Sequence, residues 1–221
     1  MKKWLLPDRR ITTMQHKEMM KELVLTGLFA AIIFIMAFSP LGYIPLGVIR
    51  ATIVQIPVII GALFCGTKKG AFLGFAFGLT SCVTGTMMPT LTSFIFSPII
   101  AATQIGAMGA VYSTLICFGP RILVGVLPVL AYKAINKVCK SKTVCFAITG
   151  VIGSLTNTIL VMGGIFLFYK DAYAEAMGVS ATAILGIIGT TICVNGVIEA
   201  ILSGVIVSAV GNVLIRIKPI R

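Results

Sequence analysis

Charge is what most restricts how this chain can fold, because it is missing from long stretches. From Gly70 to Pro120 there is no Asp, Glu, Lys or Arg, and comparable bare runs lie between Leu23 and Ile49, Thr143 and Tyr169, and Ala200 and Ile215. A soluble domain has no such runs to spare, because most of its residues must meet water on at least one face. A bilayer core about 30 Å thick takes roughly 20 apolar residues per helix, which is the length on offer here several times over. Across the 221 residues, 58% are hydrophobic and 11% charged, with a mean hydropathy of +1.07. The expectation is one membrane domain, 1–221, with a basic cytoplasmic segment at 1–19 and a helix bundle at 20–214.

Helices are expected over approximately 20–39, 46–66, 69–86, 115–137, 143–168 and 183–214, the last long enough to tilt or project. Residues 87–114 imitate a further helix, but Pro89 and Pro98 among Ser and Thr argue for a long loop or re-entrant segment. Such a segment is tolerated at membrane depth only where protein or a cavity satisfies its backbone. The net charge of +12 does not read as a nucleic-acid surface, since Lys and Arg gather at segment ends. With six spans, every basic residue except Arg50, Arg121 and Lys170 falls on one side. A seventh span would throw KAINKVCKSK to the other, so the positive-inside rule favours six spans with both termini cytoplasmic. The basic start, followed by a full-length apolar run without an A-x-A site, is read as a retained helix.

Gly66, Gly70, Gly74 and Gly78 recur every fourth residue on the expected third helix, the pattern that lets helices meet backbone to backbone. On the first helix Gly27 and Ala31, with Ala30 beside them, form a second small-residue patch. It serves either packing within the bundle or docking of another membrane subunit. Polar residues at membrane depth are expensive and tend to face a cavity or a partner. They are Arg121 after Pro120, Asn157 on the fifth helix, and Thr191, Asn195, Glu199 and Ser203 at i, i+4 spacing on the sixth. Together they make a polar seam suited to a ligand with an anionic group, although Arg121 snorkelling and simple interhelical bonding explain the same residues. Arg50 and Gln55 either join that site or sit at the headgroups.

No cofactor or metal is expected. The six cysteines form no C-x-x-C pair, His16 is the single histidine, and GALFCGTKKG has Thr67 where a phosphate loop needs Lys. These features argue against a membrane enzyme, and the absence of two related halves argues against a stand-alone secondary transporter.

The run IPLGVIRATIVQIPVIIGALFCGTKKGAFLGFAFGLTS, followed by TLTSFIFSP, CFGPRILVG, GSLTNTILV and NGVIEAILSG, resembles the substrate-binding (S) components of energy-coupling factor (ECF) vitamin importers. The resemblance covers about Leu23 to Gly211 and is greatest to the pantothenate S component; S components for riboflavin, folate, cobalamin and similar vitamins share the fold. It implies six helices and a site in the extracellular half, closed by the loops between helices 1 and 2, 3 and 4, and 5 and 6. A transmembrane coupling protein and a separate ATPase pair are implied as partners, docking on the small-residue motif of helix 1. Here that motif reads Gly27 and Ala31 in place of A-x-x-x-A. Carried over by position, Arg121 meets the substrate carboxylate and Asn157 its polar groups, with Asn195 and Glu199 as weaker matches.

Overall fold

The computed structural model describes the backbone of residues 9–46, 49–180 and 182–217, and the side chains of these residues apart from 9–18, 41, 43–46 and 49–51. Its elements run α1 (Arg9–Ala37), β1 (Tyr43–Leu46), β2 (Ile49–Thr52), α2 (Gln55–Cys65), α3 (Thr67–Met87), α4 (Pro98–Gln104), α5 (Ala107–Ile135), α6 (Lys142–Phe168), α7 (Lys170–Met177), α8 (Ile184–Thr191) and α9 (Val197–Ile217). Five helical stretches are long and apolar enough to cross a bilayer: Met19–Ala37, Thr67–Met87, Ala107–Ile135, Lys142–Phe168 and Ile184–Ile217. Their outer faces are apolar, with Leu23, Ile35, Ile201 and Val205 all exposed. Such a surface suits hydrocarbon and not water.

The second helix departs from the sequence expectation of 46–66. Tyr43–Leu46 and Ile49–Thr52 pair as an antiparallel hairpin, Tyr43 opposite Thr52 and Leu46 opposite Ile49, and α2 starts only at Gln55. Apolar content cannot separate the two conformations, whereas Pro45 and the β-branched Ile44, Ile49 and Thr52 favour extended chain. At 11 residues α2 is about 16 Å long, too short to cross alone. Every one of its residues is buried, and α1, α3, α5, α6 and α9 all pack on it.

The segment 87–114 is partly helical. Ser97 caps α4 by accepting from the Ile100 N–H, with Pro98 in the first turn. Gly106, at φ +97°, then turns the chain into α5, which begins eight residues before the expected 115. Pro is harmless in a first turn, and only Gly adopts that φ readily. The helix α7 lies in a stretch read as loop. The expected sixth helix is α8 and α9 joined by a single wide π turn over Ile192–Gly196.

The glycine row on α3 packs as its spacing implies. A methyl group added at Gly70 would overlap the Gly125 carbonyl, and one at Gly74 the Arg121 carbonyl, while Gly125 presses back on Gly70. The two backbones touch, and the Cys117 Sγ reaches the Gly78 carbonyl at 3.2 Å. Gly74→Ala should therefore destabilise the protein by about 1–3 kcal/mol or prevent folding. Gly163→Ala on α6, where an added methyl meets no atom within 4 Å, should be neutral. Thermal unfolding of both variants in detergent compares them directly.

Candidate ligand-binding site

At the end of the bundle where α1 and α3 finish lies a cavity of about 570 Å³, within the range that takes small ligands. Its walls come from Ala37, Phe38, Ser39 and Pro40 after α1, Thr52 of β2, Phe77, Ser81, Thr84 and Gly85 of α3, Met88, Thr90, Thr92, Ser93 and Phe96 of the following loop, and Arg121 of α5. Most of this surface is apolar or hydroxylic. Among the described residues, Arg121 is the one cationic side chain lining it.

The placement of Arg121 follows from its neighbour. A proline has no N–H, so Pro120, inside α5, leaves the carbonyl four residues back, that of Ile116, without its helical donor. The Arg121 guanidinium takes that role, its Nη1 donating to the Ile116 oxygen at 2.8 Å. The group also lies over two aromatic rings, its carbon 4.7 Å from the Phe96 ring centre and 5.5 Å from that of Phe77, an arrangement cations favour. Only 6% of the residue is exposed. Arg121 is therefore a fixed, desolvated charge on the cavity wall and does not snorkel outward.

Behind Thr52 the cavity adjoins a buried polar cluster. The Gln55 Nε2 donates to Ser154 Oγ at 2.9 Å. Glu199 accepts from the Thr52 backbone N–H at 2.7 Å and from the Thr158 hydroxyl at 3.3 Å. Among the described residues, Gln55 Oε1, Asn157 Oδ1 and Ser203 Oγ are buried without a hydrogen-bond partner. The first two are amide oxygens, which can only accept.

Of the expected site residues, Gln55, Asn157 and Glu199 gather in this cluster, and Arg121 lines the cavity itself. Asn195 is half-buried within the π turn. The extra residue of that turn shifts the helix register, so the expected i, i+4 stripe splits, with Glu199 and Ser203 buried and Thr191 and Asn195 only partly so. The backbone of Arg50 lies in β2, and its side chain is outside the described residues. Phe77, Ser81, Thr84 and Phe96 were missed by sequence reasoning. The hydroxyls clustered in LTSCVTG at the end of an apolar helix were the available signal.

On α1, Gly27 and Ala31 are exposed, and nothing lies within 4 Å of a methyl added at Gly27. Leu23, Val24, Leu28, Phe34 and Ile35 extend this open face. Ala30 turns the other way and packs half-buried against the core.

Residues 21–211 match the family model described as ECF transporter, substrate-specific component. The pantothenic acid transporter PanT of Lactococcus lactis subsp. cremoris (strain MG1363) is 34% identical over 172 residues, 77% of this chain and 80% of that protein. The pantothenate transporter PanT of Leuconostoc mesenteroides subsp. mesenteroides is 30% identical over 208 residues, 89% of this chain and 93% of that one.

Asn157 makes no hydrogen bond to another described residue and its Oδ1 is fully buried, so its presence is a cost to the fold. Asn157→Leu should leave the ligand-free thermal unfolding temperature unchanged or raise it, and a drop of several degrees would show instead that Asn157 supports the fold.

Proposed function

We propose that this chain, which belongs to the family of substrate-specific components of ECF transporters, captures pantothenate in the cavity beside Arg121 and delivers it to an energising module. It is a multi-pass membrane protein and a transport component, not an enzyme. Pantothenate carries one carboxylate, one amide, two hydroxyls and a branched apolar middle. The observation that carries the reading is the immobilised guanidinium. Its planar fork, held by the Ile116 carbonyl and two aromatic faces, suits a carboxylate, and a charge already desolvated loses little more on binding. The buried acceptors Gln55 Oε1 and Asn157 Oδ1 are matched by donors that pantothenate has in its hydroxyls and amide. The names of both relatives point to the same vitamin.

Six crossings with both termini inside fit this reading, α2 and the hairpin together taking the place of the second. Lys68 and Lys69 in the first turn of α3, Lys133 at the end of α5, Lys142 at the start of α6 and Arg216 in the last turn of α9 sit at the end away from the cavity. That end is then cytoplasmic and the cavity opens outward. The exposed Gly27 and Ala31 face of α1 is the proposed contact for the transmembrane coupling protein, through which a separate ATPase pair drives reorientation and release. Small residues permit the close backbone approach such a contact needs.

Two measurements test the reading. Removing a desolvated charge partner costs about 2–5 kcal/mol, so Arg121→Ala should weaken pantothenate binding by roughly 30-fold to several thousand-fold in isothermal titration, with Lys only partly restoring it. Unchanged affinity would exclude Arg121 as the anion site, and failure of the unmodified protein to bind would exclude pantothenate. Gly27→Leu and Ala31→Leu should abolish co-purification with the coupling protein while leaving the pantothenate affinity unaltered; the reverse pattern would exchange the two assignments.

A further inference from the structure

Proline is the least favoured residue in a helix interior, yet Pro120 is buried in the middle of α5, and the helix continues through it from Ala107 to Ile135. The ring removes the N–H that would bond the Ile116 carbonyl and also crowds that carbonyl off the helix axis. Arg121 Nη1 donates to the displaced oxygen at 2.8 Å. The main chain of Arg121 is held separately, its carbonyl close against Gly74. Backbone and guanidinium are therefore fixed by different contacts, and the carbonyl anchor of the guanidinium depends on Pro120.

On the reading of the cavity as the pantothenate site, we propose that Pro120 is a positioning residue for anion binding: it reserves the Ile116 carbonyl as a neutral anchor that presets Arg121 for the carboxylate. A carboxylate anchor would hold the guanidinium as firmly, but it would cancel the charge that the ligand has to meet. A carbonyl orients the group and leaves that charge in place. Returning an N–H to position 120 restores the helical bond, draws the Ile116 oxygen back into line and competes for it. Arg121 then samples further rotamers, and the apparent affinity falls by the fraction of time spent in the competent one. Helix stability moves the other way, since an interior proline has been removed. Weaker binding in a protein no less stable is the signature of lost preorganisation.

In isothermal titration Pro120→Ala should weaken pantothenate binding by about 3- to 10-fold, the worth of one immobilised long side chain. The affinity for pantothenol, in which an alcohol replaces the carboxylate, should stay the same, and the unfolding temperature should hold or rise. Pro128→Ala, in the same helix but packed against Gly153 and outside the cavity lining, should alter neither affinity. A pantothenate affinity in Pro120→Ala equal to that of the unmodified protein overturns the proposal. An equal loss for both ligands also overturns it, by making Pro120 a packing element of the cavity wall. If the unmodified protein binds no pantothenate, the vitamin reading fails by itself, and the rate at which phenylglyoxal modifies Arg121 in ligand-free protein, followed by peptide mass spectrometry, decides on Pro120. A several-fold quicker reaction in Pro120→Ala supports the preset, and an unchanged rate overturns it. Should Pro120→Ala fail to fold, Pro120→Val, which keeps more of the ring's volume and also restores the N–H, takes its place in each measurement.

Discussion

The contact between α3 and α5 is the constraint on which the rest of the structure depends. Gly70 against Gly125, and Gly74 against the Arg121 carbonyl, bring two helix backbones together at the depth where α5 carries its one cationic side chain at membrane depth. In lipid no hydrophobic force drives two apolar helices together, so close packing of this kind must hold them. The same contact sets where Pro120 falls, and hence where the unpaired Ile116 carbonyl awaits a donor. Phe77 on the glycine-bearing helix and Phe96 in the following loop both bring their rings to the guanidinium. A row of residues without side chains thus determines the position of the buried guanidinium.

Polar groups inside the bundle follow a different logic from the glycines. Packing would be better served by apolar residues at 55, 157 and 203, because each leaves a buried oxygen without a partner among the described residues. Serine and threonine elsewhere in the helices satisfy themselves on their own backbones, as Thr80, Thr149 and Thr156 do. The contrast separates hydroxyls bonded to their own helix from the amide oxygens of Gln55 and Asn157 and the hydroxyl of Ser203, which are buried without such a partner. Burdens of this kind gather where function requires them.

Much of this was legible in the sequence, and the failures share one cause. Bare apolar runs located α3 and α6 within two residues, and the four-residue glycine spacing identified a packing face correctly. That Arg121, Asn157, Glu199 and, as one of two alternatives, Gln55 lie inside the bundle was legible because polar residues stand out against an apolar background. What the sequence hid was conformation inside uniformly apolar chain. The hairpin at Tyr43–Thr52, α4 and the π turn all lie where hydropathy is constant, and there strand, helix and wide turn look alike. The π turn matters most, since one added residue undid an i, i+4 stripe that the letters alone present as continuous. Phe96 escaped notice because an aromatic in a loop acquires meaning only once Arg121 is seen beneath it.

The helix α1 joins the two ends of the molecule that the sequence treated separately. Its last residue, Ala37, and the following Phe38 form part of the cavity wall, and its chain continues through Ser39 and Pro40 into the hairpin. Its middle carries the open face around Gly27 and Ala31, and its end away from the cavity is tied to α3 by the ion pair between Glu22 and Lys69. Phe29 and Ile33 anchor it to the core, while among the described residues nothing packs on the face around Gly27. The open face and part of the cavity wall are thus carried by one helix, so a change in its tilt moves both.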